Sequence, residues 1–351
     1  MDSNTTITKE TKNKIRVDYE GKLSFKERLQ AKLKASNTWI KAGITVIRFI
    51  LMLGVSYVIL YPFFSRIAES FMTKMDIMNP TVTFIPRDFT LEIYRSVIVD
   101  KFYLEALLNT FLLSLACALI QMLISCLIGY GLAKFKFKGN KLVMIAVIVT
   151  MVIPHMTLKH SFIMFFTNFD ILTVNGMNYE GPIELILGKT VDLTNSFAPL
   201  IIMSFTGIAF KNGLYIYLLR QFFKGVPDEL EESAYVDGAG TFRTFFQIIL
   251  PLAVPMMITV FLFSFSWQWT DEFYTKIFFM DTNPETEIYL MPDVYEAPFN
   301  SLIPEGATVT STYQTALHNT TGIMIIAPLV ILYLFCQRYL VQGIERSGLV
   351  G

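Results

Sequence analysis

Glu232-Ser233-Ala234-Tyr235-Val236-Asp237-Gly238-Ala239, followed by Ile248-Ile249-Leu250-Pro251, is a polar, acidic, glycine-hinged stretch between long apolar runs. Its chemistry predicts two short helices joined by a bend. Pro227 suits a first helical turn, where its missing N–H would have no partner anyway. Asp228, Glu229, Glu231 and Glu232 favour the positive end of a helix macrodipole. Ala234 is a small contact residue. Gly238 permits a left-handed backbone, or a close backbone approach, that residues with a Cβ resist. The chain then turns into a second helix from about residue 241, and Pro251 and Pro255 shape its return to the apolar phase.

The surroundings of this stretch are membrane-like. Of 351 residues, 53% are hydrophobic and 17% charged, and the mean hydropathy is +0.48. That composition points to a polytopic membrane protein rather than a soluble domain. The formal net charge is zero, so nothing in the balance points to nucleic acid. Cys117, Cys126 and Cys336 all fall in apolar runs, which predicts buried, inert thiols with no disulfide framework or metal spacing. Six segments approach the ~20 residues that a bilayer span requires: 44–64, 106–133, 142–164, 197–219, 255–280 and 322–338, the last extended by 315–321. The expected fold is therefore all-α, with six transmembrane helices. Pro154 kinks the third span and Lys211 interrupts the fourth. Asp271 and Glu272 lie in the fifth.

Charge sets the expected orientation. Residues 1–41 carry ten Lys or Arg against five acidic residues. Within this arm Phe25, Leu29 and Leu33 share one helical face, which predicts an amphipathic helix lying on the cytoplasmic membrane surface. The turn 134–141 has four lysines and no acid, so it is cytoplasmic. The loop 281–305 carries Asp281, Glu285, Glu287, Asp293, Glu296 and Glu305 without a base, so it falls outside. Both termini and the glycine-hinged stretch then lie inside. The expected organisation is a basic arm at 1–43 and a first span with its outer loop at 44–104. A core follows at 105–343, containing the hinged segment at 228–251, and then a short cytoplasmic tail at 344–351. Residues 183–188 read equally as a small strand or a small helix.

The hinged segment resembles the EAA loop of binding-protein-dependent ABC importers, E-A-A, three residues, G, nine residues, I-x-L-P, with Ser233 in place of the first Ala. Other stretches agree. Leu218 to Leu230 looks like the approach to that loop in sugar-specific members. Gly129-Tyr130-Gly131-Leu132-Ala133-Lys134-Phe135-Lys136-Phe137-Lys138-Gly139 is similar to their A-Y-A-L-A-R-F-x-F-x-G. Asn109-Thr110 matches their N-S/T at the start of span two. Gln337-Arg338-Tyr339-Leu340-Val341-Gln342-Gly343 resembles their Q-R-Y-x-V-x-G, and 348–351 a shortened G-A-V-K-G. From residue 106 onward the order and orientation of these fragments resemble the maltose G-type permease of carbohydrate importers.

The resemblance implies a type I ABC importer (MetI-like) permease. It would pair with a second homologous permease, two cytoplasmic ATPase subunits and an extracytoplasmic sugar-binding protein, and would conduct a sugar through the lipid membrane. It assigns ATPase coupling to Glu232, Ser233, Ala234, Asp237, Gly238, Ala239, Ile248, Leu250 and Pro251. No G-x-x-x-x-G-K-[ST] occurs, so ATP and Mg would be held by the partner ATPase, with no cofactor and no catalytic residue on this chain. The outer loop, through Glu285, Glu287, Asp293 and Glu296, would contact the binding protein.

Trp267, Gln268, Trp269, Asp271 and Glu272 are candidates for the substrate pathway. Intramembrane polar groups are costly and usually face a cavity or partner, and indole faces stack on sugar rings; an interfacial aromatic belt is the alternative. His155 and His160 are ~140° apart on a helix and cannot share a metal. The rival function is an ion- or proton-coupled secondary transporter using His155, Lys159, Asp271 or Glu272. It leaves the spacing of the hinged segment unexplained.

Overall fold

The computed structural model describes residues 8–10, 16–18, 36–170, 182–187, 189–280, 287–304 and 306–346. The predicted surface helix at 25–33 lies outside them. The chain divides into two compact units, Met1–Arg66 and Ile67–Gly351.

In the first unit, Thr8–Glu10 (β1) pairs antiparallel with Arg16–Asp18 (β2), in the register Lys9 to Val17. These are the only strands among the described residues, and helices carry the rest. Ser36–Glu69 (α1) starts well before the apolar run that announced it, and its residues 36–66 belong to this unit. Its 34 residues span ~51 Å, more than a bilayer core needs. The apolar side chains from Ile44 to Phe64 are exposed, as lipid-facing residues would be.

The second unit opens with two short helices, Lys74–Ile77 (α2) and Glu92–Asp100 (α3). Phe102, at φ 52°, turns the chain into Tyr103–Lys134 (α4). Next comes a broken span, Asn140–Val152 (α5) and then a 3-10 turn from His155 running into Lys159–Thr167 (α6), bent by 93°. Pro154 causes the break: a residue before proline is driven to extended backbone, and Ile153 sits at φ −66°, ψ 119°. Pro182–Leu187 (α7) resolves the strand-or-helix ambiguity in favour of helix.

The fourth expected span is two helices, Ala198–Thr206 (α8) and Asn212–Lys224 (α9). The segment between them is bracketed by Gly207 at φ 73° and Lys211 at φ 67°. Glu229–Val236 (α10) follows. Thr241–Thr244 (α11), a π turn at Phe245–Ile249 and Leu250–Trp269 (α12) run as one 29-residue helix. Pro251 has no N–H, and its ring crowds the carbonyl four residues back; the wider π turn takes up that misfit. Two short helices, Phe273–Phe278 (α13) and Met291–Glu296 (α14), precede the last, Ser311–Arg346 (α15).

Four of these helices are long and apolar enough to cross a membrane, and five if the bent α5–α6 pair is one span. The sequence counted six. The difference lies in α8 and α9, neither of which is long enough alone once the chain unwinds between them.

α4 is the hub, packed by α8, α9 and α12, and α12 in turn packs α15. Glycine brings backbones together at two places. A Cβ on Gly129 would stand 3.0 Å from the Arg220 nitrogen, and one on Gly213 would stand 2.9 Å from the Val147 carbonyl oxygen. Buried side chains such as Tyr130, Tyr215, Phe223 and Ile249 fill the end near the hinged segment. Trp269, Met291, Tyr313 and Leu317 belong to a second cluster, and Phe166, Met203 and Phe278 to a third. Cys117 and Cys126 are buried free thiols, and Cys336 is half-buried.

Candidate coupling element and pathway residues

The hinged segment folds as two helices around a glycine bend. Val236 ends α10, Asp237 caps it, and Gly238 sits at φ 77°. The Gly238 N–H donates to the Tyr235 carbonyl at 3.0 Å and the Ala239 N–H to the Ala234 carbonyl at 2.9 Å, a Schellman closure that uses carbonyls the helix end would leave orphaned. Nothing lies within 4 Å of a Cβ built on Gly238. Of the two reasons for a glycine here, the positive φ is therefore the operative one.

Lys134, at the end of α4, holds this segment from behind. Its ammonium is almost fully covered; it donates to the Val226 carbonyl at 2.6 Å and pairs with Asp228 Oδ1 at 2.5 Å. Glu231 Oε1 lies 3.8 Å away. The hydrogen bond from Lys134 holds the Asp228 carboxyl below the usual carboxylate range. Burial pushes that of Glu231 above it.

Glu232, Ser233, Asp237 and Gly238 are exposed, while Ala234 is buried. Ile248 and Leu250 pack against the buried cluster, and Pro251 follows the π turn. Around the bend lies an apolar patch that the residue-by-residue reading missed: Val236 is 87% exposed, Phe242 82%, and Tyr235 and Phe246 are exposed beside them. The signal was present, as apolar side chains in an otherwise charged, non-membrane segment. Lys134 stood in a quoted motif without a role. Its partner, 94 residues further on, becomes visible only in the fold.

The five pathway candidates separate into two places. Trp267, Gln268 and Asp271 line one small cavity with Phe210, Gln121 and Ser264. Trp269 and Glu272 line a different cavity, of about 340 Å³, with Tyr295 and Gly322. Trp269 is fully buried, and its indole N–H donates to the Ile325 carbonyl at 3.0 Å. Its ring is therefore not a free stacking surface. The period of the helix accounts for this, because adjacent residues in a helix point ~100° apart. Asp271 Oδ2 accepts from the Tyr274 N–H at 3.1 Å, so this carboxylate caps α13. Glu272 is exposed, in a triad with Lys276 (2.6 Å) that continues to Glu296 (2.8 Å).

The outer-loop candidates behave differently from one another. Glu285 lies outside the described residues and Glu287 is half-buried. Glu296 belongs to the triad. Asp293 accepts from the Leu290 N–H at 2.9 Å and caps α14, which gives it a place inside the fold. His155 shares a hydrogen bond with the Tyr274 hydroxyl, and His160 is exposed. No group of metal-binding side chains occurs among the described residues.

The described residues form a helical protein in which a hinged, acidic segment leads into an extended apolar helix. Residues 121–346 match the family described as binding-protein-dependent transport system inner membrane component, and the chain belongs to that family. It is similar to the probable starch degradation products transport system permease protein AmyC of Thermoanaerobacterium thermosulfurigenes, with 25% identity covering 81% of this chain and 89% of that protein. It is also similar to the polygalacturonan/rhamnogalacturonan transport system permease protein YtcP of Bacillus subtilis, with 25% identity covering 86% of this chain and 96% of that one. A crystal structure of a bacterial ABC transporter involved in the import of the acidic polysaccharide alginate shares the fold. Its TM-score is 0.59 at 20% identity, over 91% of this chain and 99% of that one. The chain is thus a permease of the sugar ABC importer type, as its resemblances implied.

Proposed function

We propose that this chain carries carbohydrate across the cytoplasmic membrane and that residues 228–251 couple it to a separate ATPase. In this reading the chain performs no chemistry. Two ATPase subunits hold ATP and Mg, a second permease completes the pathway, and an external binding protein delivers the sugar. The arm, the turn 134–141 and both termini are cytoplasmic, and the loop after Met280 meets the binding protein. All six spans cross the bilayer, two of them broken.

One observation carries the coupling assignment: the exposed bend at Gly238, with acidic Glu232 and Asp237 beside the uncovered Val236 and Phe242. A patch that combines apolar anchors with charge fits a protein groove rather than lipid. Closure of the ATPases would move α10, and the continuous helix beyond it would transmit that motion to the spans as a rigid-body change.

The test is copurification of the ATPase with Gly238→Val and Glu232→Lys, with uptake measured in the same cells. A β-branched residue at φ 77° costs roughly 1–3 kcal/mol, enough to misplace the bend. Both variants are expected to insert and to pair with the partner permease, yet lose the ATPase and uptake. Wild-type uptake from Gly238→Val would remove the coupling assignment. Uptake that follows an ion gradient and needs no partner chain would instead favour a secondary transporter.

A further inference from the structure

We infer that the cargo is an anionic saccharide, carrying carboxylates of the uronic acid kind, and that Lys211 is the cation that recognises it. This rests on the carbohydrate-import reading and narrows it. Lys211 is as far in sequence from the start of α8 as from the end of α9, so it sits at the middle of that broken span. An ammonium at such depth is costly and marks a functional path. Its backbone is unusual as well, because a φ of 67° disfavours any residue with a side chain. A lysine kept where glycine would fit better needs a reason in its head group.

That head group lies over two aromatic faces, 4.7 Å from the centre of the Phe210 ring and 4.8 Å from that of Trp267. None of the ion pairs among the described residues includes it. Asp271, the carboxylate that lines a cavity with Phe210 and Trp267, is engaged in capping α13. The cation is thus held by ring faces, which stabilise it while leaving its charge uncompensated. Lining that same cavity are hydrogen-bonding groups a sugar needs, Gln268 and the relay in which Ser264 donates to Gln121 at 2.7 Å and Gln121 to Ser204 at 3.1 Å. His155 stands against Phe210, with ring centres 5.1 Å apart. The cavity that Phe210 and Trp267 line is about 10 Å³, too small for a sugar, and the half-buried Lys211 lies across those two rings. An arriving carboxylate would draw the ammonium off Phe210 and Trp267 and leave the Trp267 face, already 45% exposed, for a pyranose ring.

The experiment compares uptake of labelled uronate trisaccharides (galacturonate, glucuronate, mannuronate) with their carboxyl-reduced counterparts, in source cells carrying wild type, Lys211→Met or Lys211→Arg. The expected result is chain-dependent uptake of at least one uronate. It should fall by about tenfold or more in Lys211→Met, equivalent to ~1.4 kcal/mol, and be largely retained in Lys211→Arg. Undiminished uronate uptake in an assembled Lys211→Met complex overturns the assignment. If that variant fails to copurify with its partner permease, the wild-type comparison decides, and equal or better uptake of the reduced sugars overturns it. Uptake of reduced sugars alone refutes the anionic cargo and leaves the carbohydrate reading standing. Uptake of neither class refutes both.

Discussion

Single residues just before α4 behave as locks. Lys101 is almost fully covered, with its ammonium 3.8 Å from the centre of the Phe299 ring and 3.4 Å from the Tyr295 carbonyl that accepts from it. Asp100, next to it, accepts from the Ser301 N–H at 3.0 Å and from the Ser301 hydroxyl at 2.6 Å. Burial lowers the pKa of Lys101 to about 8, against ~10.4 for a free lysine. Between those values the folded state binds fewer protons than the unfolded one, so stability rises with pH across that window. Thermal unfolding of the purified chain in detergent should show the rise between pH 8 and about 10, and Lys101→Met should abolish it. An unchanged rise in the variant would assign it to another group. None of this was legible in the sequence, where Lys101 reads as an ordinary loop cation. Gly238 was legible, because a glycine among helix formers signals a backbone need. Trp269 reads in the sequence like its neighbour Trp267, and only the fold shows that its indole is the one held inside.

At the scale of elements, hydropathy located every apolar segment, and Lys211 marked an interruption of the fourth without showing the backbone that unwinds there. Pro154 announced the break between α5 and α6, because proline acts on its own neighbours. The break between α8 and α9 has no proline. It depends on Gly207 and Lys211 both adopting positive φ, which the surrounding packing decides. The inner helices also have contact distances that no periodicity predicts. A Cβ on Gly213 would meet Thr150 Oγ1 at 2.6 Å and Met151 Cγ at 2.8 Å, whereas one on Gly131 meets nothing within 4 Å. Gly213→Ala is therefore expected to pry α9 from α5 at a cost of ~1–3 kcal/mol. Gly131→Ala, in an open helical position, should be neutral or stabilising by up to ~1 kcal/mol. Melting temperatures of the two variants in the same detergent check this pair. Equal melting would mean that the α5–α9 contact contributes little to the fold.

Across the molecule, one helix joins the proposed coupling bend to the pathway residues. It begins at Thr241, just beyond Gly238 and Gly240, passes through the π turn at Phe245–Ile249, and ends at Trp269, whose indole is fastened to α15. Trp267 and Gln268 ride near its far end, beside Phe210 and Lys211 of the broken span. A π turn is what remains when a helix accommodates one residue more than its regular winding allows. The widened turn absorbs that surplus residue, so the winding downstream keeps its phase, like a slack link in a drive chain. Deleting Gln247 should let the turn relax to ordinary α winding and leave Trp267 facing as before, with uptake largely kept. One alanine inserted between Leu252 and Ala253, in regular winding, should instead rotate Trp267 by ~100° relative to the bend. That lengthened chain is expected to stay in the membrane and transport nothing. If it transports normally, the two ends of this helix turn independently. If it fails while the deletion is spared, sugar import depends on a rotation counted in single residues.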